Sequence, residues 1–137
     1  MALTFLLDTS VLKRLRNDEV RRVVEAHAAA GELGRCDITD LEVGYSARNA
    51  DEWDELIAAL GAFVGVRTTA AHVRRALEVQ RLLVARSQRG RKIPDLLIAA
   101  AAEELHLAVL HYDAEFDLIA AVTGQPCSWV VPPGTVD

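Results

Sequence analysis

Four acidic residues stand where strands should end and helices should begin. Asp8 follows the apolar residues 3–7, Asp113 follows a second apolar run, and Glu42 and Asp95 lie in the predicted first turns of helices. A charged group at the end of a buried strand must lie in water, cap a helix or face a counter-charge such as a metal ion. The choice among these three for Asp8 decides what chemistry the chain can perform.

Each carboxylate has a structural explanation when it is taken alone. Glu42 has a threonine three residues before it, which is the spacing of a capping box. Asp95 directly follows a proline, as suits the first turn of a helix, and Asp8 and Asp113 could each be an N-cap. Because caps are common and functional sites are rare, each residue by itself favours the cap.

Together the four acids favour a metal site. Caps occur at either edge of a sheet, whereas all four acids are predicted at the edge where the strands end. Clustered carboxylates repel one another and raise one another's pKa unless cations neutralise them. Oxygen ligands alone suit Mg²⁺ or Mn²⁺, because zinc normally recruits His or Cys. The acidic residues therefore predict a magnesium site.

The elements that must position these acids alternate between strand and helix. Strands are predicted at residues 3–7, 33–38, 64–67, 108–112 and 128–131, and helices at 11–17, 18–30, 39–48, from 51, 69–87, 96–106 and 115–122. This alternation indicates an α/β fold with a mostly parallel sheet covered on both faces. Ligands of such sheets bind beyond the carboxyl ends of the strands, where the strand order reverses.

Two helices carry apolar patterns that bear on packing and partners. In the helix predicted at 69–87, Val73, Leu77 and the cluster at 82–84 are expected to face inward. In the helix that begins at 51, apolar residues recur from Trp53 to Leu60 at helical spacing. Such a stripe is usually core and sometimes a surface that binds a partner, and both interpretations stay open.

Composition predicts one cytosolic domain spanning residues 1–137. The chain has 137 residues, of which 51% are hydrophobic, enough for one core. Since no apolar run could cross a bilayer and the N-terminus lacks a basic leader, we expect a cytoplasmic protein without a membrane partner. Cys36 and Cys127 lack the spacing of zinc or redox sites and are expected to be reduced.

Four segments resemble the motifs of the PIN-domain ribonucleases, and most of all those of the VapC toxins of bacterial toxin–antitoxin systems. They are LLDTSVL at residues 6–12, TDLEV at 39–43, IPDLLIA at 93–99 and HYDAEF at 111–116. The resemblance implies a three-layer α/β/α domain with five parallel strands in the order 3-2-1-4-5. The first and fourth strands are then neighbours, which brings Asp8 beside Asp113.

The same resemblance implies a ligand set for the metal. Asp8, Glu42, Asp95 and Asp113 match the acidic positions that hold Mg²⁺, for which Mn²⁺ can substitute, and Asp8 and Asp95 match the firmest ligands.

Three further positions support or extend this set. Ser10, with Thr9 beside it, matches a small polar position that hydrogen-bonds within the site. Glu115 stands where many relatives have Asp, and Asp117 is a weaker candidate for that ligand.

The resemblance further implies hydrolysis of RNA phosphodiester bonds, inhibition by a cognate antitoxin and a homodimer. Although the chain has a net charge of −5, eight of its nine charged residues from 67 to 92 are basic. Basic residues near the predicted site could guide RNA phosphates or form a solvated face, and the candidate contacts are Lys13, Arg14, Arg16, Arg89, Arg91 and Lys92.

Three rival functions are considered beside the toxin. One is a solitary RNA-processing nuclease, and another is a catalytically weak PIN-like module that binds protein or RNA. The third, a phosphatase-type domain, would need a second carboxylate two residues after Asp8, where Ser10 stands.

Overall fold

Five parallel strands form one sheet in the order β3-β2-β1-β4-β5 in the computed structural model, which describes residues 2–136. The strands are β1 (Phe5–Leu7), β2 (Leu33–Cys36), β3 (Val64–Val66), β4 (Ala108–His111) and β5 (Cys127–Trp129). Leu6 lies opposite Gly34 of β2 on one side and opposite Val109 of β4 on the other. The order reverses between β1 and β4, so the predicted topology is confirmed.

Helices connect the strands and cover both faces of the sheet. They are α1 (Thr9–Leu12), α2 (Asp18–Ala29), α3 (Asp37–Tyr45), α4 (Ala50–Ala59), α5 (Ala70–Ala85), α6 (Ile93–Glu104) and α7 (Glu115–Thr123), with a 3₁₀ turn at Leu60–Ala62. The helix predicted at 11–17 is wrong, because α1 ends at Leu12. Asn17 is extended and caps α2 instead, since its side chain accepts a hydrogen bond from the Val20 N–H at 3.1 Å.

The two central strands are buried on both faces. Successive side chains of a strand point to opposite faces, and Leu6 and Val109 contribute to one core cluster while Leu7 and Leu110 contribute to the other. The first cluster includes α6, whose alanines at 99–102 are at most 3% exposed and allow a close approach to the sheet. Strands with both faces covered fix the positions of the residues that follow them.

Helix α5 packs on a face other than the predicted one. Val73, Leu77 and Val84 are 45%, 59% and 50% exposed, so the expectation that they face inward is wrong. In the cluster at 82–84, only Leu83 is buried, at 1% exposed, as predicted. The buried row runs through His72, Ala76, Val79 and Leu83. His72 can occupy that row because one ring nitrogen accepts from the Thr69 N–H and the other contacts Glu104 at 2.8 Å.

Two further features of the fold bear on the sequence predictions. Cys36 is a buried free thiol and Cys127 a half-buried one. Across residues 2–136, no helix has both the length and the apolar character that crossing a membrane requires.

The packing of α5 predicts unequal effects of two leucine substitutions. Leu83→Ala should lower the free energy of unfolding by about 2–4 kcal/mol, because it leaves a cavity in the core. Leu77→Ala should cost less than about 1 kcal/mol, since the side chain is mostly exposed. Urea unfolding of both variants measures the difference, and equal losses would contradict this packing.

Candidate metal centre

Asp8 both caps a helix and presents a second oxygen to the site. It follows β1 directly, and its backbone N–H donates to the Leu110 carbonyl at 2.9 Å. Its Oδ2 accepts from the Ser10 N–H at 3.0 Å, which makes it the N-cap of α1. Its Oδ1 is buried and has no hydrogen-bond partner within residues 2–136. The cap therefore engages only one of the two carboxylate oxygens of Asp8.

Ser10 joins the ends of the two central strands. Its hydroxyl oxygen accepts from the Tyr112 N–H at 2.9 Å, across 102 positions of sequence. Tyr112 follows β4 and precedes Asp113, so this bond holds the backbone on which Asp113 stands close to the start of α1. The supporting role of Ser10 in a metal site stays a prediction, with which this hydrogen bond is consistent.

Asp113 has a partner on each of its carboxylate oxygens. Oδ1 accepts from the Glu115 N–H at 3.0 Å, and Oδ2 accepts from Lys92 Nζ at 2.8 Å. The Asp113 N–H donates to Nδ1 of His111, a fully buried residue. These bonds fix the turn between β4 and α7.

Three carboxylates converge where α6 and α7 begin. Asp95, Asp113 and Glu115 each offer an oxygen within 4.8 Å of the others. Asp95 is 4% exposed, and its Oδ2, like Oε2 of Glu115, is buried without a partner in the described part of the chain. Asp117 lies apart, because its Oδ1 accepts from Trp129 Nε1 at 3.3 Å. Glu115, rather than Asp117, joins the cluster.

Glu42 is held by a different contact from the one its spacing suggested. Because α3 begins at Asp37, Glu42 lies past the first turn and forms no capping box. Its Oε1 instead accepts from the Thr9 hydroxyl at 2.7 Å. Glu42 and Asp8 lie outside the group of three carboxylates but line the same cleft, which has a volume of about 580 Å³.

The basic candidates divide into those at the cleft and those away from it. Lys13, Arg14 and Lys92 line the cleft, and Arg16 borders an adjoining one. The Arg14 guanidinium donates to the Ser10 carbonyl at 2.8 Å and lies 4.8 Å from the centre of the Tyr112 ring.

The loop before α6 contributes one further ion pair. Arg91 Nη1 lies 3.7 Å from Oε1 of Glu115. Arg89 is exposed, and its carbonyl accepts a hydrogen bond from the Arg91 guanidinium at 3.4 Å.

Tyr112 has a structural role that the sequence did not predict. Its hydroxyl accepts from the N–H groups of Gly134 and Val136 and donates to the Val136 carbonyl at 2.6 Å. The segment at 132–136 thereby lies against the cleft, where Pro133, Gly134 and Val136 form part of the wall. The only sequence signal was a tyrosine before the last motif acid and a Pro-Pro-Gly turn far along the chain.

The sequence matches a known protein family. The family model described as PIN domain matches residues 5–122, which include every acid of the cluster. This chain belongs to the PIN-domain family. It is 69% identical to Ribonuclease VapC51 of Mycobacterium tuberculosis over the full length of both chains. It is 43% identical to Ribonuclease VapC21 of the same organism, over 98% of this chain and 99% of that protein.

Solved structures share the PIN-domain fold at low sequence identity. VapBC2 from Rickettsia felis, bound to a DNA fragment from its promoter, superposes with a TM-score of 0.76 at 17% identity, over 94% of this chain and 99% of that one. VapBC from Salmonella typhimurium, also bound to DNA, gives a TM-score of 0.75 at 17% identity over the same shares. At this identity the likeness shows the fold alone.

The electrostatics of this PIN domain follow from the crowding of its acids. Burial, the Asp8 charge and the neighbouring Glu115 raise the pKa of Asp95 to about 8, while Lys92 opposes them. Burial also acts to raise the pKa of Asp113, but the hydrogen bonds from Lys92 and from the Glu115 N–H hold it below its usual value. At neutral pH, Asp95 is therefore protonated and Asp113 is ionised, although both line one cleft.

The PIN-domain donor set suits a hard divalent cation. The buried oxygens without partners on Asp8, Asp95 and Glu115 are all carboxylate oxygens. The neighbouring His111 accepts a hydrogen bond at Nδ1, and burial lowers its pKa. The proton of the neutral ring therefore lies on Nε2, so this nitrogen offers no lone pair to a metal although it is buried without a partner among residues 2–136. An oxygen-only set fits Mg²⁺ or Mn²⁺, and it does not fit zinc, which prefers nitrogen and sulfur.

The raised pKa of Asp95 predicts a pH-dependent loss of stability. An unfolded Asp ionises near pH 4, whereas folded Asp95 retains its proton to about pH 8. Without metal, stability should therefore fall as the pH rises from about 4 to 8 and then level off. Asp95→Asn cannot ionise, so its melting temperature in EDTA should exceed that of the wild type by on the order of 5 °C at pH 8.5, and by less at pH 5.

The control for this prediction is Asp54→Asn, an exposed acid of α4. Thermal unfolding between pH 5 and pH 8.5 gives the comparison. Parallel profiles for Asp95→Asn and the wild type would contradict the assigned pKa.

Proposed function

We propose that this chain is a Mg²⁺-dependent endoribonuclease that acts as the toxin of a VapBC-type toxin–antitoxin module. The observation that carries the proposal is the set of buried carboxylate oxygens on Asp8, Asp95 and Glu115 that have no hydrogen-bond partner within residues 2–136. Such oxygens are costly to bury unless a cation neutralises them. The ribonuclease names of relatives at 69% and 43% identity support the same activity.

The residues that would hold the cation are the firm pair Asp8 and Asp95, with Asp113, Glu115 and Glu42 around them. When bound, Mg²⁺ or Mn²⁺ supplies charge relief on the phosphate and makes water nucleophilic near neutral pH. Thr9 holds Glu42, and Ser10 holds the ends of β1 and β4 together. These bonds keep the carboxylates in place. The site therefore needs little reorganisation during the reaction.

Basic side chains around the cleft would bring the RNA phosphates to an acidic centre. Arg14 is positioned in advance, because its guanidinium is fixed by the Ser10 carbonyl and the Tyr112 ring. Lys13 lies beside it at the cleft and Arg16 at the adjoining one. On a protein of net charge −5, such a local cluster is what attracts a polyanion.

An exposed apolar groove between α3 and α4 suits the antitoxin. Leu41 and Tyr45 are 71% and 92% exposed, and Trp53, 47% exposed, lies against Gly44. A Cβ at Gly44 would lie 2.6 Å from Trp53 Nε1, so only glycine permits this approach.

The groove leads toward the acidic site. Leu41 and Tyr45 also border a second cleft with Lys13 and Glu42, which both line the metal cleft as well. An apolar antitoxin segment in the groove could therefore extend a basic side chain to the carboxylates. The solved neighbours described as toxin–antitoxin complexes support this partner, and the resemblance extends the proposal to a homodimer.

Asparagine substitutions test the nuclease. Asp8→Asn and Asp95→Asn should each lower Mg²⁺-dependent cleavage of a mixed pool of structured and single-stranded RNA by at least about 100-fold, because each replaces a carboxylate that can ionise when metal binds with an amide that cannot. Gel analysis of the products measures the rates, circular dichroism checks the fold, and Asp54→Asn is the control with the same chemical change.

Each alternative has its own outcome in this experiment. Equal cleavage by the wild type and both variants would reject the assigned site. No cleavage by the wild type in either metal would favour the module that only binds. Cleavage by a chain whose gene has no antitoxin reading frame beside it would favour the solitary nuclease.

Substitution in the groove tests the partner. Leu41→Asp should raise at least tenfold the antitoxin concentration needed for half-inhibition, since it places a charge in an apolar contact. The antitoxin for this test would be the product of a small reading frame found beside the gene, and Leu105→Asp, at another exposed leucine, is the control. Equal sensitivity of the two variants would show that the antitoxin binds elsewhere.

A further inference from the structure

The ammonium group of Lys92 lies at the acidic cluster and contacts one of its carboxylates. It directly precedes α6, and its ammonium donates to Oδ2 of Asp113 at 2.8 Å. This hydrogen bond, against the effect of burial, raises the pKa of Lys92, and the charges of Asp95 and Glu115 add to it. The side chain is 59% exposed, so it can leave the carboxylate without breaking any core packing.

Asp113 differs from its neighbours in having no oxygen without a partner. Oδ1 is engaged by the Glu115 N–H and Oδ2 by Lys92. In the part of the chain that the structure describes, Asp8, Asp95 and Glu115 each keep one buried oxygen without a donor. The backbone bond to Oδ1 belongs to the turn that starts α7, whereas the bond to Oδ2 comes from a flexible side chain. Only the second can be exchanged at small cost.

We propose that Lys92 is an internal competitor of the metal ion, which holds Asp113 in the metal-free site and is displaced when a divalent cation binds. An ammonium and a dication on one carboxylate oxygen would repel each other strongly. Loading the site therefore requires Lys92 to move away, so Lys92 raises the metal concentration at which the centre fills. The inference rests on the proposed metal centre.

The adjacent Arg91 supports the same exchange. Its guanidinium lies 3.7 Å from Oε1 of Glu115, which is longer than a direct hydrogen bond. Two successive basic residues thus face two of the three clustered acids. Because Arg91 is the looser of the two contacts, the test is placed on Lys92.

Metal affinity, rather than cleavage, tests the proposal. The dissociation constant of Mn²⁺ is measured by calorimetry on the intact chain without RNA. Lys92→Gln should bind Mn²⁺ about threefold to tenfold more tightly than the wild type, whereas Lys92→Arg, which keeps the ion pair, should stay near it. Arg86→Gln, an exposed cation in none of the ion pairs found among residues 2–136, controls for the loss of one charge.

Salt separates direct competition from long-range charge. At about 0.5 M salt the Debye length is under about 5 Å, so a general charge effect fades while competition for one oxygen persists. As a second readout, the NMR signal of the Lys92 ammonium should shift with Mg²⁺ and saturate together with metal binding.

The outcomes distinguish this inference from the proposed function. Failure of the wild type and of Lys92→Gln to bind Mn²⁺ would overturn both. Equal Mn²⁺ dissociation constants for the wild type and Lys92→Gln, or a Lys92 NMR signal that does not shift with Mg²⁺, would reject only the proposed role of Lys92 as a competitor. An equal gain in Mn²⁺ affinity for Arg86→Gln and Lys92→Gln would show that the effect comes from net charge alone, and it would also reject the proposed competition.

Discussion

The repulsion among carboxylates held at one end of the sheet is the constraint on which this structure depends. Asp95, Asp113 and Glu115 offer oxygens within 4.8 Å of one another, and Asp8 lines the cleft beside them. Within residues 2–136, Asp8, Asp95 and Glu115 each have a buried oxygen without a hydrogen-bond partner. Three things can relieve such crowding: a proton on Asp95, the ammonium of Lys92, or a metal ion. The first two act in the metal-free protein and the third in the loaded one. Proton, lysine and metal therefore bind to the same centre in competition.

The rest of the fold supplies the rigidity that holds the acids against this repulsion. β1 and β4 are buried on both faces, and the hydrogen bond between Ser10 and Tyr112 ties the segments that follow them. The alanines of α6 let that helix approach the sheet closely, which carries Asp95 to the same end. Stability gained in the core thus offsets a site that is unfavourable by itself, as is common where function needs strained electrostatics.

The parallel sheet, its helical cover and the gathering of the acids were predictable from the alternating apolar segments and from where those segments end. The strand order came from the resemblance to the PIN-domain ribonucleases. The contacts of individual side chains were not. Glu42 pairs with Thr9 across 33 positions, and no local pattern encodes such a pair. The buried face of α5 was missed because His72, with two hydrogen-bond partners, replaced an apolar residue there. The ion pair of Lys92 depends on a loop conformation that composition does not specify.

The most direct test of the account is a crystal structure of the protein grown with Mn²⁺, read from the anomalous scattering of the metal. The account predicts a peak among Asp8, Asp95, Asp113 and Glu115, with Lys92 withdrawn from Oδ2 of Asp113 and that oxygen in contact with the metal. A well-ordered structure at saturating Mn²⁺ with no anomalous peak among these carboxylates, or with the peak elsewhere, would contradict it.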